Sequence, residues 1–177
     1  MKRTAAVSTA VSVGVLALCV LAWAAEVGFS TKTIHIGMVV SDLDQSVAFY
    51  KDVVGMVQTD RTQFDVNSQF GKDSGLTDGA PIHIEILKLG SGAEATELKL
   101  MTFGDKAKKN PNEYIHSQTG IQYLTIQVTD IGPSLERVKA HNIRLLGKTP
   151  VTLPDGRLFL LFQDPDGTFV EIIGPKK

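Results

Sequence analysis

From Thr33 to Val40 the chain alternates. Ile34, Ile36, Met38 and Val40 fall on one side, and His35, Gly37 and Val39 on the other. A period of two is that of a half-buried strand. At Ser41 the rhythm changes, and Leu43, Val47, Tyr50 and Val54 recur at helical spacing. Ser41 is expected to cap this helix, with Asp44 three residues on completing a capping box. Gly55 is expected to stop it in a left-handed conformation. Strand-like runs follow at Val57 to Phe64, Ile82 to Leu89 and Glu97 to Phe103. Turn signals at Asp78-Gly79 and Gly90-Ser91-Gly92 separate them.

The pattern then repeats. His35-Ile-Gly-Met-Val-Val-Ser-Asp42 matches Tyr123-Leu-Thr-Ile-Gln-Val-Thr-Asp130 at a constant offset. Val40 falls on Val128, Ser46 on Ser134 and Lys51 on Lys139. Leu124, Ile126 and Val128 form the apolar strand face of the second copy. Thr129 or Asp130 is expected to cap a helix with Pro133 in its first turn and Ile131, Leu135 and Val138 as its stripe, ending near Asn142. Further strand-like runs are Ile143 to Leu146, Leu158 to Gln163 and Thr168 to Ile173, set off by Pro154-Asp155-Gly156 and Asp164-Pro165-Asp166-Gly167. Two copies are too few for a solenoid and suggest one duplicated module. The order is βαβββ, twice, which makes the fold class α+β. Module 1 is expected at about 32–104 and module 2 at about 120–175, joined by the polar linker at about 105–119, within a domain spanning 30–177.

The start of the chain differs. Lys2 and Arg3 precede an apolar run from Val7 to Leu21, and Ala22-Trp23-Ala24 offers a small-x-small cleavage pattern. That is the layout of a secretory signal over residues 1–24. The expected location is therefore periplasmic or secreted, with no membrane contact after cleavage. The uncharged stretch from Thr4 to Ala25 is also long enough to remain as an anchor. Cys19 is the only cysteine and lies inside this segment, so the remainder has no disulfide, zinc–thiolate site or cysteine nucleophile. A net charge of −1 gives no field that would draw the chain to nucleic acid.

His35-Ile-Gly-Met-Val-Val-Ser-Asp-Leu-Asp-Gln-Ser-Val-Ala-Phe-Tyr-Lys with Gly55-Met56, and Asp164-Pro-Asp-Gly-Thr-Phe-Val-Glu-Ile-Ile173, resemble the opening and closing motifs of the vicinal-oxygen-chelate superfamily. This is the glyoxalase I, bleomycin-resistance and ring-cleaving dioxygenase group. The resemblance implies two βαβββ modules forming a curved mixed sheet around a central cleft. It also implies a small-molecule ligand or substrate, and a homodimer as one assembly. It does not settle the reaction, because one fold hosts many.

Metal-using members place one ligand on each of four strands. By resemblance the first seat falls on His35, opposite the apolar stripe of its strand. The last falls on Glu171, between Val170 and Ile172, where an unpaired carboxylate is costly. The third falls on Tyr123, a departure, since a neutral phenol is a poor ligand for a borderline divalent metal. The second is Lys99 if Leu98-Lys99-Leu100 is matched, or Glu97 if the match shifts by two; both share a strand face. The expected metal ligands are thus His35, Glu97 and Glu171, for Ni, Zn, Mn or Fe. Glu171, Tyr123 and Lys99 are the candidate catalytic groups. Lys99 paired with Glu171 is the metal-free alternative. His83, between Ile82 and Ile84, is read as outward-facing.

Three functions remain open. One is an exported glyoxalase-like lyase or isomerase, or a dioxygenase-related enzyme, with a degenerate divalent-metal site. Another is a metal-free small-molecule binding protein of the bleomycin-resistance type. A module that interacts through its sheet surface alone is a third.

Overall fold

The computed structural model describes residues 28–103, 107–109 and 112–177; the segment read as a signal, residues 1–24, lies outside them. Thr31–Lys177 forms one compact unit. Its first half is β1 (His35–Val39), α1 (Leu43–Ala48), a π-helical continuation (Phe49–Val54), β2 (Val57–Val66), α2 (Ser68–Asp73), β3 (Ile82–Lys88) and β4 (Glu97–Thr102). Its second half is β5 (Tyr123–Gln127), α3 (Gly132–Ala140), β6 (Val151–Thr152), β7 (Leu158–Gln163) and β8 (Phe169–Gly174).

Each half builds a four-stranded mixed sheet. The orders are β1-β4-β3-β2 and β5-β8-β7-β6. The first strand of each half pairs in parallel with the last, and the remaining neighbours are antiparallel. The two sheets are therefore copies in order and direction, as the internal repeat predicts. The fold is α+β, with two βαβββ modules.

Strand alternation decides what each sheet presents. Leu87, Leu98 and Leu100 of the first sheet join Leu160, Phe162, Val170 and Ile172 of the second in one core. Phe49, Tyr50 and Val53 of the helical segment and Ile131 and Val138 beside and on α3 complete it. The opposite face of each sheet carries His35, Gly37, Glu97, Lys99 and Met101, and Tyr123, Thr125, Phe169, Glu171 and Ile173.

Helix ends follow local chemistry, with two corrections. Ile131, rather than Thr129 or Asp130, is the N-cap of α3 and makes no side-chain cap bond, while Asp130 Oδ1 accepts from the Gly132 amide at 2.9 Å. Asp42, not Ser41, caps α1, its carboxylate accepting from the Gln45 amide at 3.1 Å. Ser41 is engaged elsewhere. Its amide donates to Asp166 Oδ2 at 2.9 Å, and its hydroxyl donates to Oδ1 of the same carboxylate. The helix widens after Ala48, so Val53 rather than Val54 is fully buried. Gly55 ends it at φ 92°, and both the Gly55 and Met56 amides donate to the Tyr50 carbonyl. Asn142, at φ 53°, follows α3 where a left-handed stop was expected.

Ile143 to Leu146 is not a strand. Ile143 and Leu145 pack against the core, while the edge strand forms later, at Val151–Thr152. Burial of alternate apolar residues does not require a paired neighbour.

The halves are clasped on the helix side. Tyr50 OH donates to Asp164 Oδ2 at 2.9 Å, and Phe49 meets Phe162 edge-on at 6.0 Å. Arg137 Nη1 donates to the Asp52 carbonyl at 2.8 Å. Asp164 is 6% exposed. Its Oδ1 accepts from the Asp166 and Thr168 amides at 3.0 and 2.8 Å. Burial pushes its carboxyl above the usual carboxylate range, against the lowering effect of these donors. Burial and the adjacent carboxylate push the Tyr50 phenol up as well.

Candidate functional site

The faces turned away from the helices carry the candidate groups. On β1, the apolar side chains of Ile36 and Met38 pack on the core, so His35 and Gly37 turn the other way. On β4, Leu98 and Leu100 are 1% and 0% exposed, which turns Glu97, Lys99 and Met101 to the same side as His35.

The strand register sets who meets whom. His35 lies opposite Glu97, and Gly37 opposite Lys99. Glu97 Oε2 is 3.3 Å from His35 Nδ1, and Glu97 Oε1 is 3.1 Å from Lys88 Nζ. One carboxylate thus holds an imidazole with one oxygen and an ammonium with the other. Lys99 stands next along the strand, half-buried, between Gly37 on β1 and Ile86 on β3. It has no ion-pair or hydrogen-bond partner among the described residues.

In the second sheet, Tyr123 lies opposite Phe169, and Thr125 opposite Glu171. Thr125 Oγ1 donates to Glu171 Oε2 at 2.6 Å. Tyr123 is 46% exposed. The position equivalent to Glu171 in the first sheet is Lys99, since each lies opposite the residue two beyond the first of its partner strand. Glu97 is equivalent to Phe169.

Among the described residues, no three His, Cys, Asp or Glu groups come together as a metal site. His35 and Glu97 do meet; Glu171 is held by Thr125 rather than joined to them. No ion pair joins Lys99 to Glu171 among the described residues, so the expected pairing of these two is replaced by separate arrangements in each sheet. The donor set does not suit a divalent cation. A protonated lysine has no lone pair to offer and repels the ion, and a neutral phenol is a weak donor.

His83 sits on the other face, as expected from its alternation. Its Nδ1 is 2.6 Å from Asp65 Oδ1 and its Nε2 is 3.5 Å from Glu85 Oε1. The Asp65 carboxylate holds the imidazole pKa above its ordinary value. Because the two carboxylates bracket opposite ring nitrogens, they do not converge on a common point.

Between β1 and β5 a cavity of about 230 Å³ is lined by Ile36, Gly37, Met38, Val39, Ile121, Leu124 and Thr168. Its apolar walls come from both sheets. Sequence patterns alone did not single out Gly37, whose missing side chain makes room for Met101: a Cβ there would stand 3.1 Å from the Met101 methyl.

Residues 32–172 match the model of the Glyoxalase/Bleomycin resistance protein/Dioxygenase superfamily. The chain is 28% identical over 147 residues to a 2-epi-5-epi-valiolone epimerase from Actinomyces sp., covering 78% of this chain and 76% of that protein. It is 26% identical over 150 residues to the mitochondrial methylmalonyl-CoA epimerase of Dictyostelium discoideum, covering 80% and 76%. A glyoxalase family protein from Bacillus cereus has the same fold, with a TM-score of 0.68 at 15% identity over 86% of this chain and 99% of that one.

Proposed function

The chain belongs to the glyoxalase/bleomycin resistance protein/dioxygenase superfamily, and we propose that, within that family, its inward sheet faces bind a small organic molecule without a resident divalent metal. One observation carries this reading. The position equivalent to Glu171 in the first sheet is Lys99, so the seat that holds a carboxylate in the second sheet holds a cation in the first. The His35–Glu97–Lys88 group is internally satisfied, and Glu171 has its own donor. The site therefore works through hydrogen bonds and charge rather than ligation.

The test is metal analysis of the purified protein together with a thermal-shift screen of small organic compounds. Substoichiometric metal and stabilisation by an organic ligand support the reading. One equivalent of Ni, Zn, Mn or Fe that is lost in Glu171→Ala overturns it.

A second reading is isomerase-type proton transfer. It is favoured by two carboxylates on the inward faces of different sheets, Glu97 and Glu171, each steadied by a neighbouring donor. Epimerisation needs a proton removed from one side of a carbon and returned to the other, which two positioned acid–base groups can supply. Two relatives are epimerases. Incorporation of solvent deuterium next to a substrate carbonyl, lost in both Glu97→Gln and Glu171→Gln, supports it. Exchange that survives both substitutions excludes it. Export rests on the composition of the first 24 residues; cell fractionation with the intact mass of the product, expected to begin at Ala25, tests it.

A further inference from the structure

We infer that Lys99 makes this a site for organic anions: a carboxylate or similarly charged head rests on the Lys99 ammonium, and the apolar body lies over Met101 and Val39 toward the cavity at the edge of β1. The inference rests on the metal-independent binding reading above and assigns its ligand class.

Charge accounting on the first sheet supports it. On the part of this face formed by β1, β3 and β4, the lysines are Lys88 and Lys99 and the carboxylate is Glu97. Glu97 holds Lys88 at 3.1 Å with one oxygen, and its other oxygen faces His35. Lys99 is left uncompensated. It cannot turn away, because its strand neighbours Leu98 and Leu100 fix the opposite face in the core. It is also half-buried between Gly37 and Ile86, so the aliphatic stem is covered while the ammonium lacks a protein acceptor. An ammonium without a protein acceptor keeps its three donors for a ligand, and a carboxylate takes them in charge-assisted hydrogen bonds.

Shape gives the rest. Gly37 has no side chain of its own, and the Met101 methyl fills that space, 3.1 Å from where a Cβ would stand, giving an apolar floor beside Lys99. Beyond it are Val39, Ile121 and Leu124 at the cavity of about 230 Å³. Val39 is 50% exposed, an apolar surface that a ligand would cover. A cavity of roughly 150 Å³ accepts benzene, so this space accommodates a short chain or one ring. The matching face of the second sheet carries the Tyr123 hydroxyl on β5 and the Glu171 carboxylate on β8.

The experiment uses the full chain, isotopically labelled, and titrates it with benzoate and butyrate and with the neutral isosteres benzamide and butyramide, followed by amide chemical shifts. The acids are expected to shift Gly37, Val39, Lys99 and Leu124, with the amides at least about tenfold weaker, as expected when a charge-assisted contact is lost. Lys99→Met should weaken benzoate by about tenfold or more, whereas Lys99→Arg should retain most of the affinity. Retained dispersion of the amide spectrum shows that each variant is folded. Acids and amides binding the same residues with equal affinity, or benzoate unaffected by Lys99→Met, overturns the anion inference while leaving a metal-independent cleft standing. Shifts confined to other surfaces, or no binding by any of the four probes, overturn the cleft reading and this inference together.

Discussion

Replacing Tyr50 by Phe removes one oxygen from a ring that is fully buried and leaves its packing in place. The ring still meets Phe49 edge-on, with centroids 5.3 Å apart. What is lost is the donor to Asp164 Oδ2 at 2.9 Å, the bond that ties the helical segment of the first module to the turn after β7 in the second. Oδ1 keeps its two amide donors, so half of the carboxylate remains satisfied and half does not. A hydrogen bond to a charged group contributes about 1.5–3 kcal/mol, so the expected loss is about 2 kcal/mol at neutral pH. For a domain of this size that lowers Tm by roughly 4–8 °C. The effect depends on pH in a definite direction. Burial already raises the Asp164 carboxyl, and Tyr50 opposes that rise, so removing the phenol raises it further. Stability from a raised carboxyl is present below its unfolded value and lost as pH climbs through the folded one. The variant goes on losing stability above the pH at which the wild type has finished. Its deficit should widen from mildly acid to neutral buffer. Calorimetry at both conditions reads this. A Tm change under about 1 °C at neutral pH, or a deficit that is larger in acid, refutes the account.

Three other outcomes follow from the packing and the charges. Gly174→Ala places a methyl 2.6 Å from both the Val128 side chain and its carbonyl, and overpacking against backbone should cost about 2 kcal/mol in urea unfolding; an unchanged midpoint removes the steric argument. Leu98→Ala empties a site that is 1% exposed and should cost about 2–5 kcal/mol, with a smaller loss meaning that β4 repacks. Asp65→Asn should lower the His83 titration midpoint seen by imidazole proton resonances, because Asp65 is the main cause of its elevation. The stability that His83 contributes is complete below the ordinary imidazole value and is lost as pH rises through the elevated one. An unmoved midpoint would falsify the assignment.

Alternation made β1, β5, β7 and β8 legible, because each buries one side of a two-residue period. It failed at Ile143 to Leu146, where apolar spacing signalled burial but no strand pairs alongside. It also missed α2, whose six residues include Phe70 and Gly71 but no apolar stripe. The cap of α1 was misplaced by one position. Ser41 and Asp42 are both capable capping residues, and what decides between them is Asp166, a partner 125 residues away that local pattern cannot reveal. The face carrying Glu97 and Lys99 could be read from the sequence, but not which of them meets His35. That answer is the register of β1 against β4, set by the whole sheet. Likewise, Thr125 as the donor to Glu171 carries no signal in sequence, since a threonine on a strand needs no functional explanation.

Among the described residues the two sheets share no ladder: β1 and β5 are each an outer strand of their own sheet, and what joins the halves is the shared apolar core together with the polar and aromatic clasp behind them. The two sheets are like the pages of a book bound along a spine made of that core and clasp. The spacing between Lys99 on one page and Glu171 on the other is accordingly governed from the back cover, by Tyr50, Asp164, Ser41 and Asp166. Substitutions there, far from any bound molecule, should retune how tightly the pages grip, and a Tyr50→Phe chain that has lost stability but binds benzoate as before would show that the spine is stiffer than this anatomy implies.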